Sequence, residues 1–350
     1  MSSIPLRPTD SLFEAIGTIE LNVQRMAVVS SEDNRLLGTI TDGDIRRYIL
    51  QGHTLEASVA DVMNPTPITA SIGLKPHLLS KLFTENNIRG IPLIDNNNKF
   101  IQLIYQKDVG DSKYSQDENT FSSAVIMAGG EGKRLRPLTD LIPKPMLEVG
   151  GIPLLERQVI NLRKIGIRLI YLSVNYLGDI IMNHFGDGSD YNVSIKYLNE
   201  IEKLGTAGAL SLVPGLDNKG PILVMNGDIL TTSDFSHLYH FHEEHNSDIT
   251  VAATDYRIEI PYGVIQYDGV KVKSIQEKPS KSFFCNAGIY VLTTEIIKKI
   301  PKDKFFNMTD VIDECLTKNG NVSVFPLHEY WSDIGTHQDL EHARNKFDSM

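Results

Sequence analysis

The sequence predicts an α/β protein: a doubly wound, mostly parallel sheet, preceded by a smaller α+β module built from a tandem repeat. Three observations lead there. From Phe121 onward, short apolar runs alternate with stretches of helical apolar spacing, as strands joined by crossover helices would. Before residue 111, one order of elements occurs twice: helix, strand, turn, strand. Between these regions lies SKYSQDENT, residues 112–120, polar and without periodicity. The 350 residues therefore divide into 1–111, a linker over 112–121, and 122–350. Each of the two larger pieces is long enough to bury its own core.

The formal charge of −10 argues against nucleic acid or an anionic membrane as the main partner, since either favours a basic face. A nucleotide needs only a local basic pocket. Residues 1–10 lack the basic start and apolar core of a signal peptide, and no run approaches a membrane span. A cytoplasmic location is expected. Cys285 and Cys315 have no paired spacing and read as reduced core residues rather than a disulfide or metal site.

In the first repeat, residues 12–19 have helical spacing, 25–29 and 36–40 read as strands, and Thr41-Asp42-Gly43-Asp44 leads into a basic helix over 45–50. In the second, a helix over 76–86 is followed by strands at 90–94 and 100–104 around a turn at 95–99, then Tyr105-Gln106-Lys107-Asp108. Residues 59–65, VADVMNP, lie between. The pair resembles tandem CBS domains, a Bateman module, with the pattern G-x-x-T-x-x-D at Gly38, Thr41 and Asp44. The resemblance implies an adenine nucleotide whose ribose and phosphate meet Thr41 and Asp44. Tyr105 stands where the second repeat would carry its Thr, so one complete site is implied. An elementary alternative stays open: Thr41 caps the following helix, and Asp44 in its first turn favours the helix dipole.

The second region opens with an apolar run, residues 124–128, passing at once into Gly129-Gly130-x-Gly132-x-Arg134. Glycines let a backbone approach an anion with its N–H groups turned inward, and Lys133, Arg134 and Lys144 add positive charge. The spacing is not G-x-G-x-x-G, because Leu135 takes the place of the last glycine; nor is it a P-loop, because Arg134 follows Lys133. Further on, helices over 154–165, 206–212 and 235–245 precede strands at 169–174, 221–225 and 249–253, and ligands of such a sheet gather at the carboxyl ends of its strands. Asp228 follows one of these runs, in Asn226-Gly227-Asp228. A carboxylate at the end of a buried strand is costly as packing and well placed to hold Mg2+ against phosphates. Asp333, in Trp331-Ser332-Asp333-Ile334-Gly335-Thr336, is a second one, and a cation between the two would relieve their repulsion. His237, His240, His242 and His245 read as the polar face of a helix; H-E-E-H is not H-E-x-x-H, so zinc is not expected.

The stretch from Gly129 to Leu147 resembles the signature of sugar-1-phosphate nucleotidyltransferases, GG-x-G-x-R-L-x-P-L-T followed by P-K-P-M-L. The resemblance implies a Rossmann-like nucleotidyltransferase fold and a set of roles. Ala128, Gly129, Gly130, Gly132 and Lys133 would line the nucleotide, with Glu200 and the turn Gly205-Thr206-Ala207, whose backbone groups are expected to be free for a base or phosphate. Tyr262, Gly263, Glu277, Asn286 and Gly288 would line the sugar. Arg134, Lys144, Asp228 and Lys278 would serve catalysis, with Asp228 and Asp333 on Mg2+. The implied reaction joins an NTP to a sugar 1-phosphate and releases pyrophosphate.

The CBS pair in front of this domain resembles the nucleotidyltransferases of legionaminic acid type gene clusters, which include glucosamine-1-phosphate guanylyltransferases. That implies GTP and glucosamine 1-phosphate. Mannose-1-phosphate guanylyltransferase, a uridylyl or cytidylyl donor, and a non-catalytic nucleotide-sensing regulator are the other readings. No hexapeptide repeat follows a last helix over 338–347, so a second acetyltransferase activity is not expected. Both module types imply a homo-oligomer.

Overall fold

The computed structural model describes residues 5–22, 25–86, 88, 90–105, 121–216 and 220–347. The chain divides into two compact units, Met1–Glu118 and Asn119–Met350. Most of the expected linker, and residues 106–108 of the second repeat, lie outside the described residues.

In the first unit, α1 (Leu12–Leu21) opens on a capping box in which Ser11 Oγ accepts from Glu14 N and the Glu14 carboxylate accepts from Ser11 N. β1 (Met26–Ser30) pairs antiparallel with β2 (Leu36–Thr41), and β2 runs straight into α2 (Asp42–Leu50). Arg25, expected in the first strand, has φ of 52° and belongs to the preceding turn. The second repeat supplies β3 (Ala70–Ser71), α3 (Pro76–Asn86) and the antiparallel pair β4 (Gly90–Ile94) and β5 (Phe100–Tyr105). Val28, Leu36 and Phe100 form one buried cluster, and Phe100 N donates to Asn34 O at 2.9 Å, which ties the two repeats together.

The second unit begins with β6 (Ser123–Met127), β7 (Glu148–Val149), β8 (Ile152–Pro153), α4 (Leu154–Lys164), β9 (Leu169–Val174), α5 (Gly178–Phe185) and β10 (Ser194–Asn199). There follow α6 (Gly205–Gly208), β11 (Ile222–Asn226), β12 (Ile229–Thr231), α7 (Phe235–Glu244), β13 (Ile249–Glu259), β14 (Val264–Asp268), β15 (Lys271–Gln276) and β16 (Ser280–Leu292). The unit ends with α8 (Thr294–Ile297), α9 (Met308–Thr317), β17 (Val322–Leu327), β18 (Trp331–Asp333) and α10 (His337–Phe347).

Seven strands form the central sheet in the order β10, β9, β6, β11, β16, β13, β17. All neighbours are parallel except that β16 runs antiparallel to both β11 and β13. Side chains alternate between faces along each strand, and the two faces have separate cores. Ala124, Ile126, Leu223 and Met225 pack with Leu155 and Leu162 of α4, Ile181 of α5 and Leu238 of α7. Val125, Ile222 and Val224 pack on the other side with Ile296 of α8 and Met308 and Val311 of α9. Helices thus cover both faces, as a doubly wound sheet requires.

Three expectations need correction. β13 runs on to Glu259 rather than stopping near residue 253, because the outer half of β16 continues the pairing to Glu259↔Ser280. His242 is not on a polar face: it is buried, its Nδ1 lies 2.9 Å from Thr250 Oγ1, and α7 turns that side into the sheet. Cys285 is exposed on the outer half of β16; Cys315 is buried.

Candidate active site

Four parallel neighbours deliver their carboxyl ends to one rim. The registers Asn199↔Val174, Met127↔Ser173 and Asn226↔Met127 set β10, β9, β6 and β11 almost level. Glu200, Asn175, Ala128 with Gly129, and Asn226 to Asp228 therefore follow side by side. Ser173 Oγ donates to Glu200 Oε1, Leu204 N to Glu200 Oε2 at 3.0 Å, and Asn175 Nδ2 to the Glu200 carbonyl at 2.7 Å. A Cβ on Gly129 would stand 3.2 Å from Asn175 Cβ and 3.3 Å from Glu200 Oε1, so the turn is glycine where it passes between them.

Gly132 has φ of 61°, and a Cβ there would meet Thr139 Cγ2 at 2.9 Å and Lys144 Cβ at 3.1 Å. Thr139 is buried and its Oγ1 donates to Gly132 O at 2.9 Å. This locks the 3-10 turn Lys133–Leu135 against Lys144, itself in a 3-10 turn, Lys144–Met146. Glu131 accepts from Lys133 at 3.2 Å and from Lys203, and those two cations hold its carboxyl below the usual range.

Asp228 and Asp333 meet through β12 and β18. Ile229 pairs with Asp333, and Ile334 N donates to Asp228 O at 3.1 Å. The buried Lys144 donates from Nζ to Asp228 Oδ2 and reaches Asp333 Oδ1 at 3.5 Å. Burial first, then the negative charge of Asp228, push the Asp333 carboxyl up; Lys144 and Arg134 pull it back. Arg134 stands close by, its Nη2 3.3 Å from where a Cβ on Gly335 would be. Asp228 Oδ1 is buried and has no hydrogen-bond partner among the described residues. An orphaned carboxylate oxygen beside a second carboxylate is a donor set that suits a hard cation, so Asp228 and Asp333 fit Mg2+.

The Asn226-Gly227-Asp228 turn is fixed from two sides. Gly227 N donates to Met127 O at 2.9 Å, and a Cβ on Gly227 would fall 3.0 Å from that oxygen. Gln158 of α4, only 4% exposed, donates from Nε2 to Asn226 O at 3.0 Å and to Ile229 O at 2.8 Å. Sequence reasoning missed Gln158 and Asn175, since a lone polar residue carries no spacing signal; Thr139 closes the glycine-turn signature, which names the residue without its role.

Asn286 and Gly288 join this centre. Asn286 Oδ1 accepts from Gly288 N at 2.9 Å, and Gly288, at φ of 69°, leaves room for Asn226 Nδ2, which would lie 2.6 Å from a Cβ. Trp331 Nε1 donates to Ala287 O at 2.9 Å. Asn226, Asn286, Gly288, Tyr290, Trp331 and Asp333 help line a cleft of about 240 Å³. A cavity of about 280 Å³ beside Asp248, Phe306 and Cys315 lies at the amino end of β13, away from this rim.

The other sugar-side candidates lie on a different element. Tyr262, Gly263, Glu277 and Lys278 are exposed around the β14–β15 hairpin, where a Cβ on Gly263 would come 2.9 Å from Glu277 Oε2 and Lys278 holds φ of 42°. Among the described residues no hydrogen bond or ion pair joins them to Asp228 or Asp333.

The Gly205-Thr206-Ala207 turn needs correction. Ala207 N and Gly208 N donate to Phe306 O at 3.0 Å, and Thr206 N reaches Asn307 Oδ1 at 3.4 Å. These donors are taken within the fold, α6 has four residues, and Ala209–Leu212 continues as a 3-10 turn rather than a helix. Gly205 is glycine because a Cβ there would meet Phe306 O at 2.7 Å. In the first unit, Thr41 and Asp44 form the capping box of α2: Thr41 Oγ1 accepts from Asp44 N at 3.2 Å, and Asp44 Oδ2 accepts from Thr41 N at 2.8 Å and Thr41 Oγ1 at 2.7 Å. Arg47 takes Asp44 Oδ1 at 2.5 Å.

A doubly wound sheet with glycine-turn, carboxylate and cationic groups at one rim defines a phosphate-handling α/β protein. Residues 123–349 match the family model for nucleotidyl transferase, and the chain belongs to that family. Residues 1–51 and 59–110 match the CBS domain. The chain is 30% identical over 224 residues to a mannose-1-phosphate guanylyltransferase of Mycobacterium tuberculosis, 62% of each protein, so it spans about three fifths of that relative's length. It is 37% identical over 227 residues to the bifunctional protein GlmU of Methanococcus aeolicus, covering 62% of this chain and 52% of that one. Among solved structures, HddC of Yersinia pseudotuberculosis complexed with GMP-PN superposes with a TM-score of 0.51 at 29% identity, over 64% of this chain and 99% of that one. Among the described residues no helix is long and apolar enough to cross a membrane.

Proposed function

We propose that this protein joins a nucleoside triphosphate to a sugar 1-phosphate, releasing pyrophosphate and a nucleotide-sugar, with GTP and glucosamine 1-phosphate as the favoured pair. The observation that carries the reading is the convergence of Lys144 and Arg134 on Asp228 and Asp333, beside the Gly129–Gly132 turn. Guanine is favoured by the names of the relatives, guanylyltransferases and a structure complexed with GMP-PN. An amino sugar is favoured by the CBS pair in front of the catalytic unit and its resemblance to legionaminic acid type enzymes.

The chemistry asks mainly for an in-line approach and compensation of charge. The glycine turn and Lys133 cradle the triphosphate, and Glu200, Gly205, Thr206 and Ala207 border the nucleoside. Arg134 and Lys144 offset charge on the departing pyrophosphate. Mg2+, when held by Asp228 and Asp333, supplies further positive charge to phosphate oxygens. Asn286 and Gly288 line the sugar, while Glu277 accepts its hydroxyls, Lys278 holds its phosphate, and Tyr262 with Gly263 closes that side. Those four are exposed at the base of the β14–β15 hairpin, open to an entering sugar phosphate.

The test is pyrophosphate release with Mg2+ over a grid of GTP, UTP, CTP, dTTP and ATP against glucosamine, N-acetylglucosamine, mannose and glucose 1-phosphates. Highest turnover with GTP and glucosamine 1-phosphate is expected. Turnover highest with mannose 1-phosphate, the substrate named in the relatives, would replace the amino sugar and leave the reaction standing. We further propose that the CBS pair binds an adenine nucleotide through Thr41 and Asp44.

A further inference from the structure

The cavity of about 280 Å³ at the amino end of β13 has no part in the reaction described above. Its floor is apolar: Ile296, Ile300, Val311 and Cys315 are each no more than 6% exposed, and the half-buried Phe306 lines it beside them. Its rim is charged. Lys299, Glu314 and Lys318 line it and are exposed, so the cavity opens to solvent. Glu314 and Lys318 satisfy each other at 2.8 Å. Lys299 makes no side-chain hydrogen bond or ion pair among the described residues. Asp248 Oδ2 accepts from Asn321 N at 2.8 Å, and its other oxygen has no partner among them. Both charges are felt at the floor, where burial and then Asp248 push the Cys315 thiol up while Lys299 and Lys318 pull it back. One unmatched cation and one unmatched anion above an apolar floor are the complement of a small zwitterion with an apolar side group.

We propose that this cavity binds a free amino acid with an apolar or aromatic side chain, its carboxylate on Lys299 and its ammonium on Asp248, and that the occupant strengthens the hold of the Gly205 turn on the nucleotide. Size favours this class, since sites for drug-sized ligands start near ~300 Å³ and a nucleotide exceeds the space. The link to the turn is direct. Phe306 presents its side chain to the cavity and its main chain to the turn, with its N–H donating to Leu204 O at 2.9 Å and its carbonyl accepting from Ala207 N and Gly208 N at 3.0 Å. Met308 N donates to Thr206 Oγ1 at 2.9 Å, and Asn307 between them caps α9, the helix that carries Val311 and Cys315. An occupant packed on Phe306 and α9 therefore fixes the turn before the nucleotide arrives. The second half of the proposal rests on the reading that Gly205, Thr206 and Ala207 border the nucleoside; the binding itself does not.

The test is thermal unfolding of the full chain with L-leucine, L-methionine, L-phenylalanine or L-tryptophan. At about 10 mM at least one should raise the melting temperature by roughly 1–3 °C. Glycine should not, nor should the deaminated and decarboxylated analogues of the best ligand, phenylpropionate and phenylethylamine in the case of phenylalanine. Lys299→Met and Asp248→Asn should each remove the shift and keep the parent's turnover, since asparagine still accepts from Asn321 N. Calorimetric titration of GTP with Mg2+ should show Kd about 5-fold lower when the amino acid is bound. No shift with any of the four, an equal shift from either analogue, or a shift that survives both variants would overturn the site. An unchanged GTP Kd with the amino acid bound would overturn the link to the turn. A chain that binds no nucleotide under any condition contradicts the proposed reaction instead, because the thermal shift needs neither nucleotide nor turnover.

Discussion

Lys144 is buried with its ammonium between Asp228 and Asp333, so three charges depend on one another at the foot of the cleft. Positions of this kind are set by neighbours that carry no charge. Gln158 bridges the carbonyls at both ends of the Asp228 turn. Gln158→Leu leaves those carbonyls unpaired, at a cost of about 1–3 kcal/mol in stability, and should lower kcat roughly 10-fold with little change in KM for the nucleotide as Asp228 shifts. Gln158→Glu sets a carboxyl against two acceptors, so its activity should recover as pH falls and the carboxyl takes a proton. If both variants change only the melting temperature, Gln158 supports the fold and not the reaction. At this scale the sequence was informative where a motif forced a residue type: Gly132, Gly227 and Gly288 are glycines because Lys144, Met127 and Asn226 come within contact of a Cβ. It was silent on Gln158, whose meaning lies in carbonyls of another element.

Elements were legible in proportion to their burial. β9, with one core residue after another, has the expected bounds, while β13 and β16 extend into an exposed arm where periodicity says little. On α7 only His242 departs from the expected polar face, because the sheet packs on that side, while His245 is exposed. Burial pulls His242 down from 6.5 to about 4, only partly offset by Asp248. Between those values the unfolded chain binds the proton and the folded chain does not. Stability is therefore full above pH 6.5 and falls as pH drops toward 4, by up to about 3 kcal/mol. Urea midpoints across that window should show this slope, and His242→Gln should flatten it; an unchanged slope would assign the pH dependence to other groups. In α2, the capping box explains Thr41 and Asp44 without any ligand. Addition of AMP or ATP to the full chain should raise the melting temperature if the proposed CBS ligand is real, and Asp44→Ala should abolish the rise. No shift with any adenine nucleotide leaves the cap as their whole role.

At the scale of the whole molecule, the two units could be read from the repeat before residue 111 and the alternation after Phe121, both consequences of how a chain buries apolar surface in layers. The meeting of Asp228 and Asp333 was expected, but not the pairing of β12 with β18 that achieves it, nor the antiparallel β16 in the sheet, nor the closure of Phe306 over the Gly205 turn. Each depends on contacts between residues far apart in the chain. The proposed reaction depends most on the Asp228 and Asp333 centre. The most direct measurement is pyrophosphate release by the wild-type protein and by Asp228→Asn, side by side, with the best nucleotide and sugar 1-phosphate pair. Release by the wild type and a loss of about 10²–10³-fold in the variant are expected, with the melting temperature nearly kept. Equal release by both proteins would remove this centre from the reaction, and no release by the wild type with any pair would contradict the proposed activity itself.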